Sequence, residues 1–497
     1  MKTWGMLGVL AWFTVVPACV GDDPVGGAPA PTPTDGGLLG QDAAPDPDPN
    51  ASSSSSGNPD GAAGCAESVC LDDTRVARCA GGVATTIACG IGCSAGRCRT
   101  FDPVGPATPA DLELGTAGLR LLRLDGALLD SATGQIVAGG NVVRAANTSP
   151  GSGFEEIVDG VGFRVVDGIA VLRALSIDIV TAQTTGANRL VVVAVDEIRV
   201  TGEWRVDCGT LGGIAGGSTG TDAPGPHGGK TQDGDYVGDD SPPGGGGGGN
   251  VGRGGTGAPS DTSSTNASGP GGAGAAADFS LLRGGGGGAG GMRNNADVAS
   301  TSVGGSGGGA VQLVAGARIQ VGRPGQTGEL SSGINVGGCG GAAGRNNDNN
   351  SSSSPKVAGA GGGAGGSLIL EAPLVVGHAG GGIAANGGGG SSSAISGDAS
   401  FARGHDALIA TTPASGGPTG GCSAGGGAGA AGTTVDGAPG KGEAVTCATQ
   451  IKGGGGGGAA GYIAVRSYRG AATLDPAFVV SPSAPAAFQQ TTLDGVQ

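Results

Sequence analysis

Eleven cysteines, three histidines and one tight acidic loop are the residues of this sequence whose chemistry is most readily named. Six of the cysteines, Cys65, Cys70, Cys79, Cys89, Cys93 and Cys98, fall within 34 residues, separated by 4, 8, 9, 3 and 4 positions. A dense, even set predicts a disulfide framework formed in an oxidising compartment, with its connectivity left open. Zinc would want histidines or two close cysteine pairs, and the block offers neither. Cys208, Cys339, Cys422 and Cys447 follow at long intervals and are expected to pair as staples. The loop TQDGDYVGDD brings together Asp233, Asp235, Asp239 and Asp240, a carboxylate cluster of the kind Ca2+ takes. Its spacing fits neither the helix-flanked calcium loop nor the GGxGxD repeat, so a solvated turn is the stronger expectation and no other cofactor is indicated.

Catalytic constellations are missing. His227, His378 and His405 are the whole supply of imidazole, too little for a Ser/His/Asp site or a histidine metal centre. PGPHGGKT has Pro224 where a phosphate-binding loop needs its first glycine. Gly304, Ser306 and Gly308 match a nucleophile elbow only as chance allows in a chain with 114 glycines. Aromatic residues are 3% and charged residues 13%, with net charge −15, so the basic footprint that nucleic acid requires is absent.

The elements that would carry these residues begin with MKTWGMLGVLAWFTVVPAC, one positive charge followed by a short apolar run and small residues. This is the grammar of an export signal, assigned to 1–18. Val16, Pro17, Ala18 and Cys19 resemble the lipoprotein cleavage box, in which Cys19 becomes the lipidated first residue and holds the chain on a membrane. Residues 19–64 are rich in Pro, Gly, Ser and Asp without apolar periodicity and read as a flexible tether. The disulfide module is assigned to 65–99. No later stretch reaches the roughly 18 apolar residues of a membrane-spanning helix. The body is therefore expected outside the cytoplasm, anchored at the outer membrane or cell surface.

Beyond the module, branched apolar residues recur at relative positions 0, 2, 8 and 10. They stand at Ile169, Val171, Ile177, Ile179; at Leu190, Val192, Ile198, Val200; and at Val311, Leu313, Ile319, Val321. A further copy places Leu368, Leu370, Ala372 and Val376 in the same row, with His378 at position 10, and a degenerate one begins at Ile463 and Val465. Period-2 alternation broken by small-residue corners describes strands sending one row of side chains inward. The first two copies lie 21 residues apart, about one turn of a β-solenoid whose turns bury their faces on one another. The predicted fold is thus mainly β, a right-handed parallel β-helix over 105–480 with long glycine-rich insertions and a C-terminal tail at 481–497. The insertions, roughly 209–309, 338–366 and 387–461, are expected either as packed extended glycine helices or as loose loops.

The order of signal, Pro/Ser tether, six-cysteine block, LVVVAVDEIRV, GGGAVQLVAGARIQV, GGSLILEAPLVV and GGGGGGAAGYIAVRS resembles glycine-rich lipoproteins of myxobacteria-like deltaproteobacteria. The resemblance covers nearly the entire chain and implies location and architecture, with no catalytic residue. The leading functional expectation is a non-enzymatic, surface-anchored structural or adhesive lipoprotein contacting cell-surface polysaccharide or another envelope protein. A β-helix polysaccharide lyase or hydrolase is the enzymatic alternative; its outward candidates Asp196, Glu197, Arg199, Arg318 and Glu371 do not share one repeat position. The remaining alternative is a polyglycine-helix protein that binds ice or polymer.

Overall fold

The computed structural model describes residues 68–80, 83–113, 118–149, 151, 153–206, 208–218, 221–231, 243–259, 268–291, 302–326, 329–343, 357–393, 403–419, 423–442, 453–470 and 472–496. Cys19, the signal and tether, Cys65, Asp233, Asp235, Asp239, Asp240, Cys422 and Cys447 lie outside them. Among the described residues the chain is mainly β, and its helical elements are two short 3-10 turns, Pro109–Leu112 and Tyr468–Gly470.

Runs such as RLVVVA and EIRV are rich in β-branched residues, which favour the pleated conformation but leave apolar faces that a single strand cannot cover. Each repeat solves this with three strands, one for each of three sheets. The repeats comprise Ile169–Ala174, Ser176–Ile179 and Ala182–Thr185; Arg189–Ala194, Glu197–Val200 and Glu203–Val206; Ala310–Ala315, Arg318–Val321 and Ser332–Asn335; Ser367–Ala372, Leu374–Gly377 and Gly381–Ala384; and Tyr462–Ser467, Thr473–Leu474 and Val479–Ser481. Successive repeats pair in parallel in every sheet. In the first sheet Ala170, Leu190, Val311, Leu368 and Ile463 form one ladder; in the second, Ile177, Ile198, Ile319 and Val375 do the same. In the third, Ala182, Trp204, Ile334 and Ile383 stack. The Trp204 indole N–H donates to Thr184 Oγ1 at 2.7 Å, satisfying both buried polar groups. These rows meet in one apolar core shared by all three sheets.

The register differs from the sequence expectation at two copies. In the first repeat Ala170 and Leu172 point inward, and Ile169 and Val171 face outward. The corner after Ala174 is a single residue, Leu175, where the next repeat has Val195 and Asp196. The fourth repeat has the same shortening, with Pro373 alone in place of Gly316 and Ala317. Val375 therefore sits opposite Ile319, Val376 turns outward, and Gly377 takes the place expected of His378, which lies in the following turn. Since side chains alternate with period 2, one missing residue exchanges the faces of everything after it.

Antiparallel strands close the N-terminal end. Val161–Val166 and Glu156–Val158 extend the first sheet, while Ile136–Ala138 and Asn141–Arg144 extend the third. Arg144 is fully buried there and donates to Val161 O, Gly134 O, Ala145 O, Asn147 Oδ1 and Glu156 O, so its guanidinium is completely bonded. At the other end the segment expected as a tail is not one: Phe488–Thr492 pairs in parallel with Tyr462–Ser467 and adds a strand to the first sheet.

All three glycine-rich insertions leave after a third-sheet strand and return at a first-sheet strand. They are packed. The amides of residues 244–249 donate with period three to three separate neighbours. Gly244 and Gly247 bond Ala258 O and Gly255 O, Gly245 and Gly248 bond Gly359 O and Gly362 O, and Gly246 and Gly249 bond Lys230 O and His227 O. Three residues per turn is the period of an extended polyproline-type helix, which has no internal hydrogen bonds and must find partners outside itself. Residues 455–460 repeat the pattern toward Ser391 and Gly388, Gly245 and Gly248, and Ala438 and Val435. Glycine is required by proximity here: a Cβ on Gly361 would stand 2.0 Å from Gly246 O. Gly361→Ala should therefore destabilise by about 1–3 kcal/mol, as overpacking does. Gly442→Ala, with nothing within 4 Å, should leave the melting temperature unchanged, so paired thermal denaturation of the two variants tests the packing.

Candidate functional site on the second sheet

The three sheets differ in what covers their outer faces. On the first sheet, Val171, Val191, Val193, Val314, Ile369 and Ala464 form a second apolar row beneath Phe101, Ala107, Leu112, Leu282 and Leu493. This explains why LVVV is unbroken, since strands buried on both faces lose their alternation. On the third sheet, Asn335 Nδ2 donates to Ala407 O, tying residues 403–410 across its later strands. The second sheet keeps the alternation of a half-covered face in EIRV, with Ile198 and Val200 buried and Glu197 and Arg199 outside.

On that face Arg123, Asp178, Arg199 and Gln320 are register partners in adjacent strands, and Glu197 stands directly opposite Arg318 in the next row. Thus Asp196, Glu197, Arg199 and Arg318, which the linear spacing separates, come together. Glu197 is held by two guanidiniums, Arg199 Nε at 2.8 Å from Oε1 and Arg318 Nε at 2.5 Å from Oε2. Arg123 pairs with Asp125 at 3.4 Å and approaches Asp178 at 3.9 Å. Asp196 lies at the corner before Glu197 and accepts from Ser176 Oγ at 3.3 Å. Its burial first, and the neighbouring Glu197 charge second, push its carboxyl above the ordinary aspartate range. The result is a band of planar donors and acceptors about 4.8 Å apart from strand to strand. Glu371, the remaining outward candidate, is elsewhere: it is buried on the first sheet.

Comparison with protein-family models, with curated proteins and with solved structures finds no match to this chain.

The cysteines fall into place individually. Cys70 pairs with Cys93 and Cys89 with Cys98, around a three-stranded antiparallel sheet of Val69–Asp72, Arg75–Ala80 and Val83–Ala88. Cys79 is also disulfide-bonded. Cys208 and Cys339 pair across 131 residues, with Cα atoms 5.7 Å apart, and so staple the start of the first glycine insertion to the start of the second. No group of three or more candidate metal ligands occurs among the described residues.

Sequence reasoning missed the second-sheet band because the partners lie on different repeats, with a 121-residue separation between Glu197 and Arg318. The signal that reveals it is the polar residues alternating with Ile and Val in both EIRV and RIQV, once those runs are stacked in register. The arginines are 44% and 46% exposed, so these ion pairs contribute little to folding. Glu197→Ala should cost about 1 kcal/mol or less in a denaturant titration, leaving the band open to functional dissection.

Proposed function

We propose that this chain is a non-enzymatic structural or adhesive protein of the cell envelope that meets polysaccharide through the outer face of the second sheet. The observation that carries this reading is the outward row of Arg123, Asp178 and Arg199, ending at a buried Gln320, with Glu197 and Arg318 beside it. Guanidinium and carboxylate groups at strand spacing suit the hydroxyls of an extended glycan chain, since each offers directed hydrogen bonds in a plane. The underlying scaffold is read as a right-handed parallel β-helix, the hand that crossover connections between parallel strands overwhelmingly take. The disulfides support an oxidising compartment, consistent with the export signal read at 1–18 and lipidation at Cys19.

Two further readings have observations of their own. Asp196, with its raised proton affinity, sits beside the arginine-paired Glu197, and an acid next to an ionised carboxylate is what glycoside cleavage uses. Packed glycine segments expose every third residue, Arg253, Thr256 and Pro259 on one and Pro270, Ala273 and Ala276 on its neighbour. Such regularity suits an ordered polymer or ice surface.

A glycan panel scored for binding and for product release separates these. Binding without cleavage, lost by at least about tenfold in Arg199→Ala/Arg318→Ala, is the expected result, each tenfold being about 1.4 kcal/mol. Cleavage abolished by Asp196→Asn would transfer the function to the enzyme class. Binding untouched by the double variant would remove the second sheet as the contact face.

A further inference from the structure

The disulfide module ends in a short hairpin, Cys93–Ser94 paired antiparallel with Arg97–Cys98, whose register sets Ser94 opposite Arg97 and Cys93 opposite Cys98. Its two-residue turn has both Ala95 and Gly96 at positive φ, the backbone that closes the tightest hairpins. Opposed residues share a side, so Ser94 and Arg97 project together, and Arg99, two residues on, follows them. The cysteines project the other way and pack on the small core of Val76, Ile87 and Cys89. Three constraints hold this hairpin in place. Cys70–Cys93 ties one strand and Cys89–Cys98 the other, while Gly96 lies so close to the start of the module that a Cβ there would stand 2.2 Å from Ser68 O. The Arg99 N–H donates to Gly92 O at 2.8 Å and fixes the exit of the second strand.

A cavity of about 640 Å³ opens on the hairpin, lined by Cys93, Ser94, Arg97, Cys98, Arg99 and Thr100. Two guanidiniums and two hydroxyls are its polar side chains, and no described lining residue brings a carboxylate or an aromatic ring. Of the module's arginines, Arg75 is neutralised by Asp72 at 2.6 Å, whereas Arg97 has no carboxylate partner among the described residues. The whole chain carries a net charge of −15, so this cationic pocket is a local construction. We propose that the cavity binds a sugar phosphate, with the phosphate on Arg97 and Arg99 and the sugar toward the hydroxyls of Ser94 and Thr100. One guanidinium fork fills both oxygens of a carboxylate, but a phosphate brings three acceptor oxygens and up to two charges, which a pair of forks satisfies. The volume is that of a small-molecule site and far exceeds a bare phosphate. The rest of the ligand is polar, because a nucleobase or an acyl chain would need the aromatic or aliphatic wall that this lining lacks. The two disulfides spare the site the cost of ordering its own backbone when the ligand arrives.

Titration of the full-length, oxidised protein with a hexose 6-phosphate tests the proposal, with the unphosphorylated hexose and a hexuronate as comparisons. The phosphate alone should bind, and more tightly at pH 7.5 than at pH 5, since its second ionisation lies at about pH 6. Arg97→Ala should weaken binding at least about tenfold with no change in melting temperature, and Arg75→Ala, outside the cavity, should leave it as it was. Arg199→Ala/Arg318→Ala should also leave it unaltered, so the site stands or falls apart from the second-sheet contact face. Absence of binding, a hexuronate or plain hexose that binds as tightly, or binding that survives Arg97→Ala overturns the proposal. Should Arg97→Ala fail to fold, the Arg97 Nε resonance of the unaltered protein decides: a shift on adding the hexose phosphate supports the site, and none ends it. Vesicles bearing a phosphorylated glycolipid that capture the protein make the source a lipid headgroup; failure to capture it beside binding of the soluble compound makes the source a free sugar phosphate, and both support the site.

Discussion

An extended glycine segment cannot satisfy its own amides, and in this protein those amides are satisfied by other glycine segments. Gly245 donates to Gly359, Gly359 to Gly453, and Gly456 back to Gly245, so each segment completes its neighbours. Bonds of this kind form only when backbones approach to a distance at which a Cβ would collide with a carbonyl. The sequence composition follows from that requirement. A buried, unpaired peptide group costs about 1–3 kcal/mol, so a single segment removed from the set would leave its neighbours without partners. The glycine layer is cooperative for this reason, much as a sheet is, although its described residues form no strand.

The apolar repeats and the glycine insertions are two answers to one problem of burial. The repeats bury side chains, and their ladders of Leu, Ile and Val need only a period of two and a constant corner. The insertions bury mainly backbone, with a period of three and a few side chains such as Asn250 and Ser391 bonding between segments. In the three repeats that carry an insertion they join at one place, between the third sheet and the first, so that neither period interferes with the other. Gly365, which bonds Ala459 O, is followed within two residues by Ser367, where the strand ladder with Tyr462 begins. The Cys208–Cys339 disulfide lies close to the same junction and ties two insertions at their roots.

Much of this was legible in the residues. Leu190, Val192, Ile198 and Val200 announce their rung by spacing alone, and so do Val311, Leu313, Ile319 and Val321. The two copies that were misregistered, at Ile169 and at Val376, fail for one reason: a corner shortened to Leu175 or Pro373 is invisible in a pattern that counts positions from the first strand. His378 was an artefact of that slip. Glu371 could not be placed from its strand, because an outward position is exposed or buried according to what covers it, and the cover comes from Val104 and Asp494, both more than one hundred residues away in sequence. The unbroken apolar run of the first-sheet strands was the available hint that something must cover them.

The packed glycine insertions also bear on how this molecule responds to temperature. Hydrophobic cores give unfolding its large positive heat capacity, because apolar surface is hydrated when they open, whereas exposed peptide groups lower that heat capacity. A layer built from backbone contributes mostly the second kind of surface. The chain therefore joins a core whose stability curve is strongly bowed to a layer whose curve is nearly flat. Cooling weakens the first far more than the second. The glycine layer is the part that holds its strength in the cold.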